Sequence, residues 1–346
     1  MSSARFAEAW WEGRYGLPGA VLRMVLAPAS WLWGVVTYVR NRRFDRGEPE
    51  RVPGARVISV GNLAVGGTGK TPFASWAART LASDGRRPAI VLSGYGADEV
   101  ALHRSWAPDL DVVADRDRVA AARRVADAGA DAVVVDDAFQ HRRLGRDVDL
   151  VLLSVEDRFP GRLLPCGPYR EPASALARAD AVVLTRRSAS VEQARALARR
   201  VDSVPGVAAG AVLGCVRLSA DALVPLVDAA PDVVPGRPAE VGGGPRLEGA
   251  LAVTAIARPR AFLTDVARRA EGAVELKAFR DHHDFTEADA RAARLRAGRR
   301  PIVVTEKDAV KLRPFAAVLG EAYVLRQRLA WDWGEADVRA LLGGTP

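Results

Sequence analysis

Lysine and cysteine are both scarce in this chain. Its 346 residues include only four lysines (Lys70, Lys277, Lys307 and Lys311) against 46 arginines. The two cysteines form neither a disulfide framework nor the spacing of a zinc site. This scarcity of cysteine favours a protein of a reducing compartment. Because arginine carries nearly all the positive charge, a lysine inside a motif indicates a position that requires lysine.

The chain also lacks the basic runs, interleaved with aromatic residues, that bind nucleic acid. Its net charge of +8 and isoelectric point near 10.0 would suit an anionic partner. The arginines are, however, scattered along alanine-rich segments such as DRVAAARRVADAGAD, a pattern typical of solvated helix faces. We therefore expect no nucleic acid among the partners of this protein.

A glycine-rich segment, GNLAVGGTGKTP at residues 61–72, follows the apolar run RVISV. Successive backbone N–H groups can close around an anion where no side chain intervenes, and a following helix points its positive end at the same place. The segment is close to the phosphate-binding P-loop pattern G-x-x-x-x-G-K-[ST], with Ala64 in place of the first glycine. The alternative is an ordinary glycine-rich turn. We expect nucleotide binding by Gly66, Gly67, Thr68, Gly69, Lys70 and Thr71.

Apolar runs that alternate with helical segments predict the fold class. RVISV, PAIVLS, DAVVVDD, VDLVLLS and ADAVVLT are apolar along nearly their whole length, as are strands buried on both faces of a parallel sheet. A second alternating block follows a Pro/Gly-rich stretch. The sequence predicts an α/β protein: a P-loop NTPase-type parallel-sheet domain, a second, smaller α/β domain and an N-terminal apolar helix. The expected divisions are 1–45 (N-terminal helical segment), 46–205 (P-loop domain), 206–250 (extended linker) and 251–346 (C-terminal α/β domain).

The N-terminal segment is mostly apolar between residues 24 and 39, where Pro28 and Ser30 interrupt it. That stretch is short for a helix that spans a bilayer. Four of the eight tryptophans lie within the first 33 residues, and tryptophan favours the membrane–water interface. Arginines that follow the stretch would meet anionic head groups. We expect peripheral membrane attachment, and the alternative is a buried helix packed on the main domain.

Two adjacent carboxylates, Asp136 and Asp137, end the run DAVVVDD. A carboxylate at a strand end near a P-loop is where an NTPase holds Mg²⁺, and the hydroxyl of Thr71 is expected on the same ion. For one of the two, the alternative is a helix N-cap. The segment SGYGADEV, taken alone, predicts a flexible acidic turn, and TEKD at residues 305–308 is a displaced version of a guanine-reading motif.

Together these motifs resemble those of one family, the tetraacyldisaccharide 4'-kinases of lipid A biosynthesis. SVGNLAVGGTGKTP, VVVDDAFQHR, LPCGPYREP, FRDHH and VVTEKDAVKL occur in the order of that family's signatures. The resemblance implies that Lys70 and Thr71 bind ATP and Mg²⁺, with Asp136 and Asp137 as the acidic metal-coordinating pair. It also implies that Asp98 is the catalytic base and His282 its partner. His141, Arg170 and Glu171 would line the substrate site.

The resemblance further implies a reaction and a place in the cell. The chain would transfer the γ-phosphate of ATP to the 4'-hydroxyl of a tetraacylated glucosamine disaccharide 1-phosphate, as a peripheral protein of the cytoplasmic face of the inner membrane. The alternatives are a P-loop kinase of another amphiphilic acceptor and a regulatory NTPase switch. The sequence departs from the family pattern in a shortened loop before Asp98 and in Ala138, which replaces a glycine.

Overall fold

The computed structural model describes residues 3–11, 13–94, 97–227, 245–256 and 259–343. The strands are β1 Arg56–Asn62, β2 Pro88–Ser93, β3 Asp111–Asp115, β4 Ala132–Asp136, β5 Val148–Ser154, β6 Ala181–Arg186, β7 Val212–Pro225, β8 Ala250–Thr254, β9 Val274–Ala278, β10 Ile302–Thr305 and β11 Ala322–Trp333. The α-helices are α1 Ser3–Trp11, α2 Gly16–Arg46, α3 Lys70–Ser83, α4 Ala97–Trp106, α5 Arg118–Asp127, α6 Val191–Asp202, α7 Pro259–Ala267, α8 Glu287–Ala297, α9 Glu306–Leu312, α10 Ala316–Leu319 and α11 Glu335–Gly343.

The chain folds into two compact units. The first comprises Met1–Tyr95, Leu110–Arg217 and Trp331–Pro346, and the second Gly96–Asp109 and Leu218–Ala330. This division differs from the one predicted at residues 205 and 250. Gly96–Asp109 already belongs to the second unit, and Trp331–Pro346 belongs again to the first. Within the predicted linker, β7 is a strand that pairs in parallel with β6. Residues 228–244 of that linker lie outside the described part of the chain.

The sheet of the first unit is parallel, with the strand order β3-β2-β4-β1-β5-β6-β7. Its inner strands β1, β4 and β5 are buried almost throughout, as their uniformly apolar sequences predict. The register places Val60 of β1 opposite Asp136 of β4. The carboxyl ends of these two strands are therefore neighbours, and the P-loop begins beside the paired carboxylates.

Two clusters of apolar side chains hold the helices of the first unit on its strands. In one, Val119 and Val125 of α5 pack with Val133 and Val135 of β4. In the other, the fully buried Val201 of α6 packs with side chains of β5 and β6. Burying a side chain of this size contributes about 1.5–3 kcal/mol relative to leaving it in water. These contacts fix the strand ends that carry the site residues.

The second unit has a parallel arrangement of its own, in the order β11-β10-β8-β9. Leu251 and Val253 of β8 pack with Ala290 and Ala293 of α8. A second cluster packs Phe262 of α7 with side chains of β8, β10 and β11. α4 belongs to this unit and lies against α9. This packing brings a helix from the first third of the chain next to one near its end.

The helix α2 is longer than the apolar stretch seen in the sequence, because it continues through Pro28 to a total of 31 residues. By length and composition it could cross a membrane, yet only 6% of its most apolar 18-residue window is buried. Leu17, Met24 and Trp31 are 83%, 76% and 73% exposed. The alternative of a buried core helix is therefore wrong. The high exposure leaves a long apolar surface open to a partner.

The other side of α2 is tied to the segment between β5 and β6. Ser30 donates to the carbonyl of Leu163 at 2.9 Å, and Trp33 Nε1 donates to the carbonyl of Arg170 at 2.9 Å. Further along, Asn41 donates to Glu171 at 2.7 Å. These bonds recur over three turns of the helix. α2 is thus held lengthwise on the first unit.

Candidate active site

The loop between β1 and α3 has the backbone of an anion-binding loop. Gly66 and Gly69 have φ values of 118° and 87°, which residues with side chains rarely adopt. α3 begins at Lys70, directly after Gly69, so its first N–H groups and the positive end of its dipole lie at the loop. Pro72 stands in the first turn, where its missing N–H costs no helix hydrogen bond.

The residues just before the loop are fixed by the segment that follows β4. A Cβ on Gly61 would lie 2.4 Å from Cβ of Phe139, so the close approach requires glycine. Asn62 donates from Nδ2 to Oγ1 of Thr68 at 2.9 Å, and its carbonyl accepts from Nε2 of Gln140 at 2.8 Å. Gly61 and Asn62, which precede the loop, are therefore in direct contact with Phe139 and Gln140 of the segment after β4.

Asp137 is the charged centre of this region. Its Oδ1 lies 3.5 Å from Nζ of Lys70, and both its carboxylate oxygens lie 3.1 Å from Nη1 of Arg170. Arg118 donates to its backbone carbonyl at 2.7 Å. Burial opposes ionisation, yet the charges of Lys70 and Arg170 hold the pKa of Asp137 below its ordinary value. The structure thus brings together three of the predicted site residues: Lys70, Asp137 and Arg170.

The carboxylates beside the P-loop fit a magnesium ion. Asp136, the last residue of β4, is buried, and Thr71 lies in the first turn of α3. With Asp137 they offer only oxygen donors, the ligand type that Mg²⁺ prefers, and the binding of the ion here stays a prediction. Nowhere in the described ranges do three or more His, Cys, Asp or Glu side chains form a group that could hold a metal ion. The set suits an ion that shares its shell with nucleotide phosphates and water.

Two further predicted site residues, His141 and Glu171, belong to the first unit. Burial and the positive charge of Arg118 lower the pKa of His141 to about 4, so its ring is neutral at neutral pH. Glu171 is 2% exposed, and its carboxylate accepts from Asn41 at 2.7 Å and from Arg178 at 2.8 Å. Glu171 therefore ties α2 to the loop after β5. Its contact with a substrate stays a prediction.

Asp98 and His282 meet in the second unit. Nδ1 of His282 lies 3.0 Å from Oδ2 and 3.2 Å from Oδ1 of Asp98. Asp98 lies in the first turn of α4, so the flexible acidic turn predicted for this segment is wrong. The helix begins here because Asp98 and Glu99 are favourable at its positive end. The shortened loop before Asp98 leaves the carboxylate within hydrogen-bond reach of the histidine.

Two lysines to which the sequence analysis gave no role contact the same carboxylate. Nζ of Lys307 and Nζ of Lys311 each lie 3.5 Å from Oδ2 of Asp98. Burial opposes ionisation, but the hydrogen bond with His282 and these two ammonium groups hold the pKa of Asp98 below its ordinary value. The rarity of lysine in an arginine-rich chain was the signal that could have identified them.

The parallel sheet, the P-loop that opens α3 and the acidic strand end define a nucleotide-binding protein of the P-loop NTPase class. The family model described as tetraacyldisaccharide-1-P 4'-kinase (LpxK) matches residues 22–105 and 97–344. A tetraacyldisaccharide 4'-kinase of Anaeromyxobacter dehalogenans strain 2CP-1 is 37% identical over 92% of this chain and 88% of its own length. One of Xanthomonas euvesicatoria pv. vesicatoria is 35% identical over 84% of each chain.

A solved structure agrees with these matches. The crystal structure of LpxK from Aquifex aeolicus in complex with ATP aligns with a TM-score of 0.66 and 25% identity, covering 93% of this chain and 98% of that chain. The chain therefore belongs to the tetraacyldisaccharide 4'-kinase family. This membership confirms the predicted α/β P-loop fold and the prediction of an ATP-dependent kinase that phosphorylates the 4'-position of the lipid A precursor.

Proposed function

We propose that this chain transfers the γ-phosphate of ATP to the 4'-hydroxyl of a tetraacylated glucosamine disaccharide 1-phosphate at the cytoplasmic face of the bacterial inner membrane. The observation that carries the proposal is the hydrogen bond between Asp98 and His282. A carboxylate oriented by a histidine can accept the proton of a sugar hydroxyl. A regulatory NTPase switch has no use for such a pair, because it activates no hydroxyl of a second substrate.

ATP binds at the loop formed by residues 66–71. Its β- and γ-phosphates lie against the N–H groups at the start of α3, and Lys70 contacts them. Nζ of Lys70 also lies 3.5 Å from Oδ1 of Asp137, which helps to hold the ammonium group at the loop. Asp136, Asp137 and Thr71 would hold Mg²⁺, which would neutralise charge on the transferred phosphoryl group. His141 and Arg170 line the substrate site beside them.

The base in this reaction is Asp98. As the 4'-oxygen forms its bond to the γ-phosphorus, the bond from that phosphorus to the bridging oxygen breaks and ADP leaves. The proton of the hydroxyl passes to a carboxylate oxygen of Asp98. His282 keeps the carboxylate oriented through its Nδ1 contact. Little covalent chemistry is required of the protein, so positioning and electrostatics dominate the rate.

The exposed apolar side of α2 supports attachment of the protein to the membrane, where its lipid substrate would reside. Its apolar residues lie in the interface and its terminal arginines, Arg43 and Arg46 among them, meet anionic head groups. Because the opposite side of α2 is bonded to the first unit, the helix lies along the membrane surface and does not cross the bilayer.

The test is an ATPase and phosphotransfer assay of the full chain with and without the disaccharide lipid, in mixed micelles with Mg²⁺. We expect ADP to form only when the lipid is present, together with a product phosphorylated at the 4'-oxygen. ADP formed at the same rate without lipid would favour the NTPase switch. Lipid-dependent turnover with a different acceptor, and none with the disaccharide, would favour a kinase of another amphiphile.

A further inference from the structure

The chain has four lysines, and two of them face the carboxylate of Asp98. Lys307 and Lys311 lie one turn apart on α9, and their side chains are 18% exposed. Where the protein needs only positive charge it uses arginine, 46 times. The use of lysine beside Asp98 therefore indicates a requirement for a compact ammonium group that a planar guanidinium does not meet.

Lys307 contacts both members of the Asp98–His282 pair. Its Nζ lies 3.3 Å from Nε2 of His282 and 3.5 Å from Oδ2 of Asp98. An ammonium group has three donors and no acceptor. Nε2 must therefore accept in this contact, which leaves the ring proton on Nδ1, the atom that faces Asp98 at 3.0 Å. The position of Lys307 selects one of the two neutral tautomers of the ring.

Lys311 fixes the backbone that presents the histidine. Its Nζ donates to the carbonyls of His282 and His283, each at 3.2 Å, and lies 3.1 Å from Asp284. His282 has a φ of 58°, a conformation that costs a non-glycine residue free energy unless its surroundings hold it. One ammonium group thus stabilises the strained turn and lies 3.5 Å from Asp98 as well.

α9 is itself firmly anchored, so its ammonium groups have defined positions. Thr305 caps the helix by accepting from the N–H of Asp308 at 3.1 Å. The buried Asp308 accepts from the hydroxyl of Thr254 and the N–H of Ala255, at the end of β8. Glu306 accepts from Trp106 Nε1 at 3.0 Å, which joins α9 to the helix that carries Asp98.

We infer that Lys307 and Lys311 are positioning residues that keep Asp98 unprotonated and that Lys307 also fixes the proton of His282 on Nδ1. The inference rests on the proposed function, in which Asp98 receives the proton of the acceptor hydroxyl.

The charged groups around Asp98 fit this inference. They are Glu99 on its own helix, the 281–284 turn with Asp281, His282 and Asp284, and Lys307 and Lys311 on α9. Only the two lysines and the histidine can offset the burial of the carboxylate, because the other charged groups are anions.

The first experiment measures the tautomer directly. In the ¹⁵N-labelled full chain, which has four histidines, the imidazole signals of His282 are assigned by their loss in His282→Ala. We expect an Nδ1–H tautomer above the pKa of the ring. In Lys307→Met the titration midpoint of His282 should rise by about one pH unit, because an adjacent cation is removed. An Nε2–H tautomer in the unchanged protein, or an unmoved midpoint in Lys307→Met, would overturn the inference.

The second experiment is the pH dependence of kcat/KM for the double variant Lys307→Met/Lys311→Met. Burial then acts on Asp98 with less opposition and raises its pKa, so a loss of activity should appear on acidification below about pH 6. Activity should recover at higher pH, which a merely damaged fold would not show. Lys307→Arg keeps the charge, so its pH profile should show no such acid limb, although the planar guanidinium should lower the rate at every pH. A double variant equally slow at every pH would contradict the inference.

Lys277→Met is the matched control. Lys277 of β9 lies over the ring of Phe279, and its ammonium group is not among the cations at Asp98, so both readouts should match the unchanged protein. The proposed function and the inference on the two lysines can also be refuted independently of each other. Absence of lipid-dependent turnover in the unchanged protein would refute the proposed function, while the histidine spectra would still decide the arrangement of Lys307.

Discussion

Asp137 and His282 share a backbone property that is rare for residues with side chains. Their φ values are 53° and 58°, and they are the non-glycine residues of positive φ within the described ranges. Such conformations persist where surrounding contacts hold them, and they concentrate at functional sites. Arg118 binds the carbonyl of Asp137, and Lys311 binds that of His282. At both proposed sites, a cation on another element thus secures the carbonyl of the strained residue.

Lys70 is the residue whose loss should separate catalysis from folding. In Lys70→Ala we expect kcat to fall roughly 10²–10³-fold or more, because a cation is removed from the transferred phosphoryl group. The melting temperature should change little, since Asp137 keeps its contact with Arg170. Steady-state kinetics and thermal unfolding of the same preparation provide the check. A variant that retained a tenth of the turnover would refute the role of Lys70.

Asp98 and His282 should behave as one functional group. The single variants Asp98→Ala and His282→Ala should each be slow, with the affinity for ATP preserved. The double variant should be scarcely slower than the worse single variant, because residues that act as a unit are non-additive. A double-mutant cycle on kcat measures this. Losses that multiply in the double variant would show that the contact at 3.0 Å has no role in catalysis.

At the scale of secondary-structure elements, the approach of β1 to the segment after β4 shapes the P-loop. Gly61→Ala would place a Cβ 2.4 Å from Cβ of Phe139, so either the strand or the ring must move. Overpacking of this kind costs about 1–3 kcal/mol. We therefore expect a clear drop in the midpoint of denaturant unfolding, measured without nucleotide.

Gly67→Ala is the matched control for that experiment. A Cβ at Gly67 would meet no atom within 4 Å. The free energy of unfolding should change by less than about 0.5 kcal/mol, as for most exposed substitutions. If both alanine variants unfolded at the same midpoint as the unchanged protein, the close packing of Gly61 on Phe139 would have no energetic importance.

The sequence predicted those parts of the molecule whose cause is local. Uniformly apolar runs identified the parallel strands, and the glycines of residues 66–69 identified the loop, because these signals depend on neighbours along the chain. The contacts of Asp98 could not be predicted from the sequence, because Lys307 and Asp98 are 209 positions apart in the numbering. The packing of α4 on α9 brings them together. The family resemblance identified His282 as a partner and included both lysines in the signature VVTEKDAVKL, but it assigned them no role.

The same reason explains why the units of the structure differ from the predicted divisions. No periodicity marks where residues 97–109 leave one unit for the other, because the path of the chain is decided by tertiary contacts. The apolar stretch 24–39, which Pro28 and Ser30 interrupt, is short for a helix that spans a bilayer. In the structure Ser30 donates to Leu163 and the helix continues through both residues. Contacts with another segment thus extend a helix that local propensity would have ended.

At the scale of the whole molecule, the last prediction concerns how the protein meets the membrane. Truncation of residues 1–45 would remove the hydrogen bonds of α2 with the first unit, so point substitutions on the exposed side are the sharper test. Met24→Glu and Trp31→Glu alter side chains that are 76% and 73% exposed, and should leave thermal unfolding unchanged. Binding to vesicles of anionic phospholipid should fall by at least about tenfold in the double variant, because two apolar side chains that the lipid interface would bury are replaced by charged ones.

Leu295→Glu supplies the control for this measurement. Leu295 is 86% exposed on α8, so the same chemical change is made at an exposed leucine far along the chain. Its cosedimentation with vesicles should equal that of the unchanged protein. Rising salt should weaken binding of both, since the arginines at the end of α2 act through screened charge. Equal vesicle binding by the Met24/Trp31 double variant and the Leu295 variant would show that α2 is not the membrane-binding surface.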